Sequence, residues 1–177
     1  MTNNERNTIK ILMETARAVQ NPRLVEEIKA RFLKEFPVDI IDNPEYVLQL
    51  LERAYFEKNG DDVEFAFIIA GNFNLVNENY LDMMIKLMKE DWHVTHECIA
   101  SYMQQLKSPK TIDCLYEAAL TDFPYLEFDE AYALAVKCIW ALGEINTPES
   151  YEKLKLLTQS NNEIIKENAI YQLELDR

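Results

Sequence analysis

Apolar residues recur along this chain at the three- and four-residue spacing of amphipathic helices. One stripe combines Leu24, Ile28, Phe32 and Phe36, with Pro22 in the first turn of the same helix. Breaks occur at Asn-Pro, Asn-Gly and Ser/Thr-Pro steps. The pattern predicts about ten helices, over residues 5–19, 22–36, 44–58, 61–70, 79–88, 92–106, 109–120, 129–145, 148–159 and 163–173.

A stretch of the chain repeats itself after 39 residues, because 98–109 aligns with 137–148. Each copy ends in a hydroxyl residue followed by proline, Ser108-Pro109 and Thr147-Pro148. A hydroxyl caps the next helix, and proline in the first helical position needs no hydrogen bond there. Repeats of this length are typical of stacked helical hairpins, each of which buries its apolar face only against its neighbours.

Length and composition agree with a helical fold. The chain has 177 residues, of which 48% are hydrophobic, and its 3 glycines and 6 prolines are too few for the many turns of an all-β fold. We therefore predict an all-α fold, a single right-handed α-solenoid domain over residues 1–177 with about five helical hairpins. The clearest repeats span 91–173, and 1–75 forms a less regular N-terminal cap.

The net charge of −13 limits the partners of the chain. It comes from 31 acidic and 18 basic residues, so phosphate backbones and anionic membranes are repelled. We expect neither nucleic acid nor membrane as a partner. Two explanations of the acidity stay open: solubility alone, or attraction of a basic protein partner.

Features of the chain also predict the compartment. Cys98, Cys114 and Cys138 form no closely spaced pair and no zinc-like pattern, which suits a reducing environment. The first residues contain no apolar run of the secretory type, and no stretch reaches the length of a membrane span. These features predict a cytoplasmic protein.

One segment of the chain resembles a known protein family. It consists of residues 137–149, Lys-Cys-Ile-Trp-Ala-Leu-Gly-Glu-Ile-Asn-Thr-Pro-Glu, followed by Leu154, Leu157 and Ala169. They resemble the HEAT-repeat family, specifically short bacterial repeats similar to phycobilisome lyase-type HEAT units. The resemblance covers about 91–173 and implies a scaffold of helical hairpins that binds other proteins.

One subgroup of the HEAT-repeat family resembles this chain more closely. The chain resembles small bacterial HEAT-like immunity proteins of polymorphic toxin systems in three features. These are the motif Trp92-His93-x-x-His96-Glu97, an acidic aromatic loop and the helix containing Trp140. That resemblance implies stoichiometric binding and blocking of a toxin, and an acidic binder suits a basic toxin.

The two histidines of the chain are the candidates for chemistry. His93 and His96 would lie one turn apart on a helix and together could hold a metal. The alternative is that His96 is a hydrogen-bonded histidine at the edge of the core. An iron site like that of the HEAT-repeat enzyme deoxyhypusine hydroxylase is excluded, because His96-Glu97 aligns with Ala135-Val136 after 39 residues. We therefore expect no catalytic residue, no cofactor and no resident metal.

Surface residues are the better functional candidates. The predicted loop 122–130 mixes acids with aromatics, and Tyr125 is its expected partner-facing residue. Equally, its Phe123, Leu126 and Phe128 would cover the core while Asp129 caps the next helix. Trp140 either faces a groove or packs against the terminal hairpin. The predicted partner-binding residues are Asp122, Tyr125, Glu127, Asp129, Glu130, Trp140, Glu97, Ser101 and Gln104.

These expectations converge on a non-enzymatic protein-binding scaffold. Its most specific form is an immunity protein that neutralises a basic toxin by occlusion, with the acidic surface covering the toxin's active site. The alternative is a general adaptor for an endogenous protein or peptide, and a metal-dependent enzyme using His93 and His96 ranks third. The sequence does not decide the oligomeric state.

Overall fold

A computed structural model describes residues 1–175 and contains no strand among them, which confirms the all-α prediction. The chain divides into two compact units, Met1–Val76 and Asn77–Arg177. The division falls beside the end of the segment expected to form an N-terminal cap. The single domain over 1–177 stays a prediction.

The first unit packs five helices around an aliphatic and aromatic core. Helix α1 packs against α3 and α5, and α4 packs against α5. Buried Phe32 stacks on Phe36 with a centroid distance of 4.7 Å. The helices are α1 (Asn3–Met13), α2 (Thr15–Ala18), α3 (Pro22–Glu35), α4 (Glu45–Glu57) and α5 (Gly60–Asn72).

A buried carboxylate ties the start of the first unit to α5. The side chain of Asp62 is 0% exposed; its Oδ2 lies 2.6 Å from the Met1 amine, and its Oδ1 lies 2.7 Å from the Arg6 Nε. The cap of this helix is Asn59, whose side chain accepts a hydrogen bond from the Asp62 backbone N–H. Burial alone raises the pKa of Asp62, yet hydrogen bonds from Arg6 and the amine hold it below its ordinary value.

The second unit is built around one central helix, α9, which packs against α7, α8, α10 and α11. Its buried face includes Leu134, Cys138, Ile139 and Leu142. The elements are a 3-10 turn at Glu78–Tyr80, α6 (Leu81–Leu87), α7 (His96–Leu106), a 3-10 turn at Pro109–Thr111, α8 (Ile112–Ala118), a 3-10 turn at Pro124–Leu126, α9 (Ala133–Ile145), α10 (Pro148–Leu157) and α11 (Glu163–Glu174).

The two copies of the sequence repeat adopt matching local structure. Helices α7 and α9 each end in a left-handed residue, Lys107 with φ 50° and Asn146 with φ 53°, and each is followed by a proline-started helical turn. Thr147 caps α10 through a reciprocal capping box with Ser150. The matching cap expected of Ser108 is absent, because its side chain makes no capping hydrogen bond.

Two predicted helix starts are wrong. Helix α7 begins at His96 rather than Trp92, and α9 begins at Ala133 rather than Asp129. In both places the chain turns back on itself before the helix, so the aromatic and acidic residues there belong to connections. Within residues 1–175, no helix combines the length and the apolar character needed to cross a membrane.

The buried ion pair of the first unit yields a stability prediction. In Asp62→Asn the charge is lost and the size kept, so Arg6 and the Met1 amine lose their partner. We expect the free energy of unfolding at pH 7, measured in urea, to fall by about 3 kcal/mol. The difference from the unchanged protein should shrink as the pH falls below 3.8 toward the lowered pKa, where Asp62 itself becomes protonated.

Asp61→Asn is the matched control, since the neighbouring carboxylate is exposed. It should change stability by no more than about 0.5 kcal/mol. Equal effects of the two substitutions would contradict the role given to Asp62.

Candidate functional site

The two histidines form a stacked pair in the second unit. His93 lies in the turn between α6 and α7, whereas His96 is the first residue of α7, so they do not share one face of a helix as the sequence suggested. Both are buried, and their rings stack at 4.2 Å with an interplanar angle of 16°. Phe123 covers the other side of His96 at 3.9 Å.

The hydrogen bonds of His96 define its tautomer. Its Nε2 lies 2.8 Å from the backbone carbonyl of Glu90, which only accepts, so Nε2 carries the proton. Its Nδ1 then accepts from the hydroxyl of Tyr125 at 3.0 Å. Burial raises the pKa of Tyr125 to about 12, which keeps this hydroxyl a donor.

His93 adopts the same arrangement. Its Nε2 donates to the Leu87 carbonyl at 2.9 Å, and its Nδ1 accepts from the backbone N–H of Thr95 at 3.1 Å. The lone pairs of both rings are therefore engaged inside the protein. Among residues 1–175, no three His, Cys, Asp or Glu side chains are grouped so that they could hold a metal ion.

Burial also keeps both rings neutral. Desolvation lowers the pKa of His93, and desolvation together with the neighbouring His93 lowers that of His96 to about 4. A neutral, stacked and hydrogen-bonded pair is suited to holding segments together rather than to transferring protons. This arrangement matches the core-edge alternative considered for His96.

The loop before α9 is attached to this pair through Phe123 and Tyr125. Phe123 is buried against His96, and Tyr125, which we expected to face a partner, is half-buried with its hydroxyl turned inward. Phe128, considered as a cover for the core, is instead 90% exposed. The exposed aromatic of this loop is therefore three residues further along than predicted.

Asp129 has a structural role within the loop. Its Oδ1 accepts from the Ala131 N–H at 3.1 Å, and its Oδ2 accepts from the Ala133 N–H at 2.7 Å. Both oxygens thus hold the turn that leads into α9, although the residue immediately before this helix is Tyr132. The neighbouring acids Asp122, Glu127 and Glu130 remain exposed.

The loop before α9 and the turn between α10 and α11 line an open cavity of about 820 Å³, which we call the acidic cleft. Its lining includes the buried apolar residues Phe123, Leu134 and Ile165 and the acidic residues Asp122, Glu127 and Asp129. Within the described part of the chain, residues 1–175, no Lys, Arg or His lines it. The full lining is Ala118, Ala119, Leu120, Thr121, Asp122, Phe123, Pro124, Leu126, Glu127, Asp129, Tyr132, Leu134, Ala135, Ser160, Asn161, Asn162 and Ile165.

Four other predicted contact residues lie on α7 and α9, and Tyr125 and Glu130 belong to the loop but do not line the cleft. Trp140 is 37% exposed; its Nε1 donates to the Asn168 Oδ1 at 3.1 Å, and its ring lies 5.8 Å from that of Tyr171 on α11. This contact is the packing against the terminal hairpin that was considered as its alternative role. Glu97 pairs with Lys137 at 3.0 Å.

Ser101 and Gln104 are half-buried on α7. The Ser101 hydroxyl donates to the Glu97 carbonyl within the same helix. Of the nine predicted partner-binding residues, the cleft therefore unites Asp122, Glu127 and Asp129, and it excludes the α7 and α9 group.

Sequence reasoning missed Tyr132 and the turn 160–162 as parts of the site. The Asn162 cap of α11 is readable locally, since its side chain accepts from the Ile164 and Ile165 N–H groups. This turn lines the same cleft as the loop 121–132 because α9 packs against α11. The sequence carries no local signal for that packing.

Comparison of the chain with protein-family models, curated proteins and solved structures finds no match to any of them. The chemistry of the acidic cleft and of the histidine pair therefore has to support any functional argument.

The histidine pair yields a prediction about acid stability. Because the pKa of His96 is about 4 in the folded protein and 6.5 ordinarily, the unfolded state binds more protons between these values. From pH 7 to pH 5 the group should remove about 2 kcal/mol of stability. In His96→Asn this part of the pH dependence should vanish, as measured by urea unfolding at both pH values.

Tyr125→Phe is the control for the hydrogen bond. It should cost about 1 kcal/mol at either pH while the steep acid dependence persists, because His96 stays buried. An unchanged difference between pH 7 and pH 5 in the His96 variant would contradict the assignment.

Proposed function

We propose that this chain is a non-enzymatic, cytoplasmic protein-binding module that receives a basic segment of another protein in the acidic cleft. The observation that carries the proposal is the cleft itself, a cavity lined by apolar and acidic residues and, among residues 1–175, by no basic one. Pockets of this kind combine apolar burial with a few oriented polar groups.

The charge of the whole chain supports the same partner. A net charge of −13 attracts a basic protein over distance, and the exposed acids Asp122, Glu127 and Glu130 extend that field to the cleft. Charge complementarity of this kind raises the association rate and disfavours acidic competitors.

The packing of the second unit supports a solenoid as the underlying architecture. Helices α7, α9 and α11 follow one another in contact, α8 contacts both α9 and α10, and the repeated left-handed helix ends recur at Lys107 and Asn146. We propose that residues 77–175 are HEAT-like hairpins and that the whole chain is a short α-solenoid.

The most specific form of the proposal is an immunity protein that neutralises a basic toxin by occlusion. Residues around the cleft would cover the toxin's active site, so binding alone is inhibitory. A metal-dependent activity at His93 and His96 finds no support, since both ring lone pairs accept hydrogen bonds from the protein.

The immunity form is tested with the product of the adjacent toxin-like reading frame expected for such systems. Co-expression should protect the host cell, and the two chains should co-purify at one-to-one stoichiometry. Failure of both would contradict the toxin assignment.

A charge-removal variant tests whether the cleft is the binding edge. In Asp122→Asn, Glu127→Gln and Glu130→Gln combined, association with that partner should slow about tenfold at low salt. The salt dependence of the rate should weaken in parallel, as measured by stopped-flow fluorescence. Asp129 is left intact because its carboxylate holds the turn.

The control removes the same charge from the first unit through Asp42→Asn, Glu45→Gln and Glu52→Gln, three exposed acids. If association slows equally in the control, net charge rather than the cleft governs binding.

A further inference from the structure

Tyr132 has an unusual backbone conformation for a large aromatic residue. Its φ of 50° and ψ of 43° lie in the left-handed region, immediately before α9. In L-residues other than glycine this region brings Cβ too close to the following carbonyl, and bulky residues rarely occupy it. Such positions persist where the surrounding structure holds them, and they concentrate at functional sites.

The other left-handed residues between 1 and 175 have local explanations. Lys58 and Lys107 end helices α4 and α7, a common place for this conformation, and Asn74 and Asn146 tolerate it through their short polar side chains. Tyr132 is the aromatic member of this set, and it begins a helix instead of ending one. The geometry of the turn therefore does not explain why an aromatic residue occupies this position.

Tyr132 is one of the residues that line the acidic cleft. It is 40% exposed, and the structure of residues 1–175 gives its side chain no hydrogen bond, ion pair or ring partner. Asp122 and Glu127 line the same cleft, and both are exposed. A partly exposed aromatic residue thus lines the same cavity as two exposed acidic residues.

We infer that the Tyr132 ring receives the guanidinium of an arginine in the basic partner, while Asp122 and Glu127 neutralise its charge. This rests on the proposed function and names the side chain that the cleft selects. A guanidinium is planar, stacks on an aromatic face and is weakly hydrated, and its fork of donors matches carboxylates. A lysine ammonium is a compact, strongly hydrated charge and gains less from such a surface.

The first experiment uses a small probe in place of the unidentified partner. Acetyl-Ala-Arg-Ala-amide is titrated into the ¹⁵N-labelled full chain and compared with the same peptide containing citrulline or lysine. Citrulline keeps the planar shape of arginine without its charge. We expect saturable amide shifts confined to 118–135 and 160–165 with arginine, weaker binding with lysine, and none with citrulline. Equal shifts from the citrulline peptide, or shifts spread over other regions, overturn the inference.

The second experiment isolates the ring. Tyr132→Phe keeps the aromatic face and should bind the arginine peptide within about twofold of the unchanged protein. Tyr132→Leu keeps an apolar side chain and the same backbone demand but removes the face, and should weaken binding about three- to tenfold. Thermal unfolding of each variant checks that the fold is retained.

Phe128→Leu provides the matched control, because Phe128 is more exposed than Tyr132 but does not line the cleft. It should leave the affinity for the peptide unchanged. Equal binding by Tyr132→Leu and the unchanged protein overturns the role of the ring.

The inference and the proposed function fail in different ways. Peptide binding at the cleft without any binding by the expected toxin partner would contradict the immunity form and retain the arginine site. Conversely, partner binding that is insensitive to Tyr132→Leu would overturn the arginine site and retain the protein-binding function.

Discussion

The arrangement of the second unit depends on the two hydrogen bonds of one buried ring. His96 donates to the Glu90 carbonyl and accepts from the Tyr125 hydroxyl, while Phe123 covers its face. The turn before α7 and the loop before α9 are therefore attached to the same side chain. Since that loop lines the acidic cleft, the position of the cleft wall follows from a neutral histidine in the Nε2-protonated form.

The parts of the fold that the sequence predicts are those with local physical causes. Proline in the first turn of a helix and the Thr147 cap depend on neighbours within a few residues, and both are present in the structure. The pairing of Asp62 with Arg6 and the Met1 amine spans 56 and 61 positions, so no periodic pattern announces it. The buried role of the Asp62 charge could therefore not be predicted from the sequence.

The same distinction explains the outcome at the candidate site. Sequence reasoning found the acidic aromatic loop because composition is local, but it placed Tyr125 outward, since its partner His96 lies 29 positions earlier. It listed Asp129 with the other loop acids as a binding residue and, as the alternative, as the cap of the next helix. The structure separates them: both oxygens of Asp129 accept backbone hydrogen bonds, whereas Asp122 and Glu127 are exposed in the cleft lining. The cleft also depends on the packing of α9 against α11, which could not be predicted from the sequence.

Within this one loop, stability and binding make different demands on adjacent residues. Asp129 and Tyr125 already hydrogen-bond to backbone or buried groups, so they contribute to the stability of the loop. Tyr132 differs from them, because a left-handed backbone costs stability and its side chain makes no hydrogen bond, ion pair or ring contact among residues 1–175. A sequence selected for folding alone favours glycine or asparagine at such a turn. The proposed arginine site would give the aromatic ring a role that the turn itself does not require.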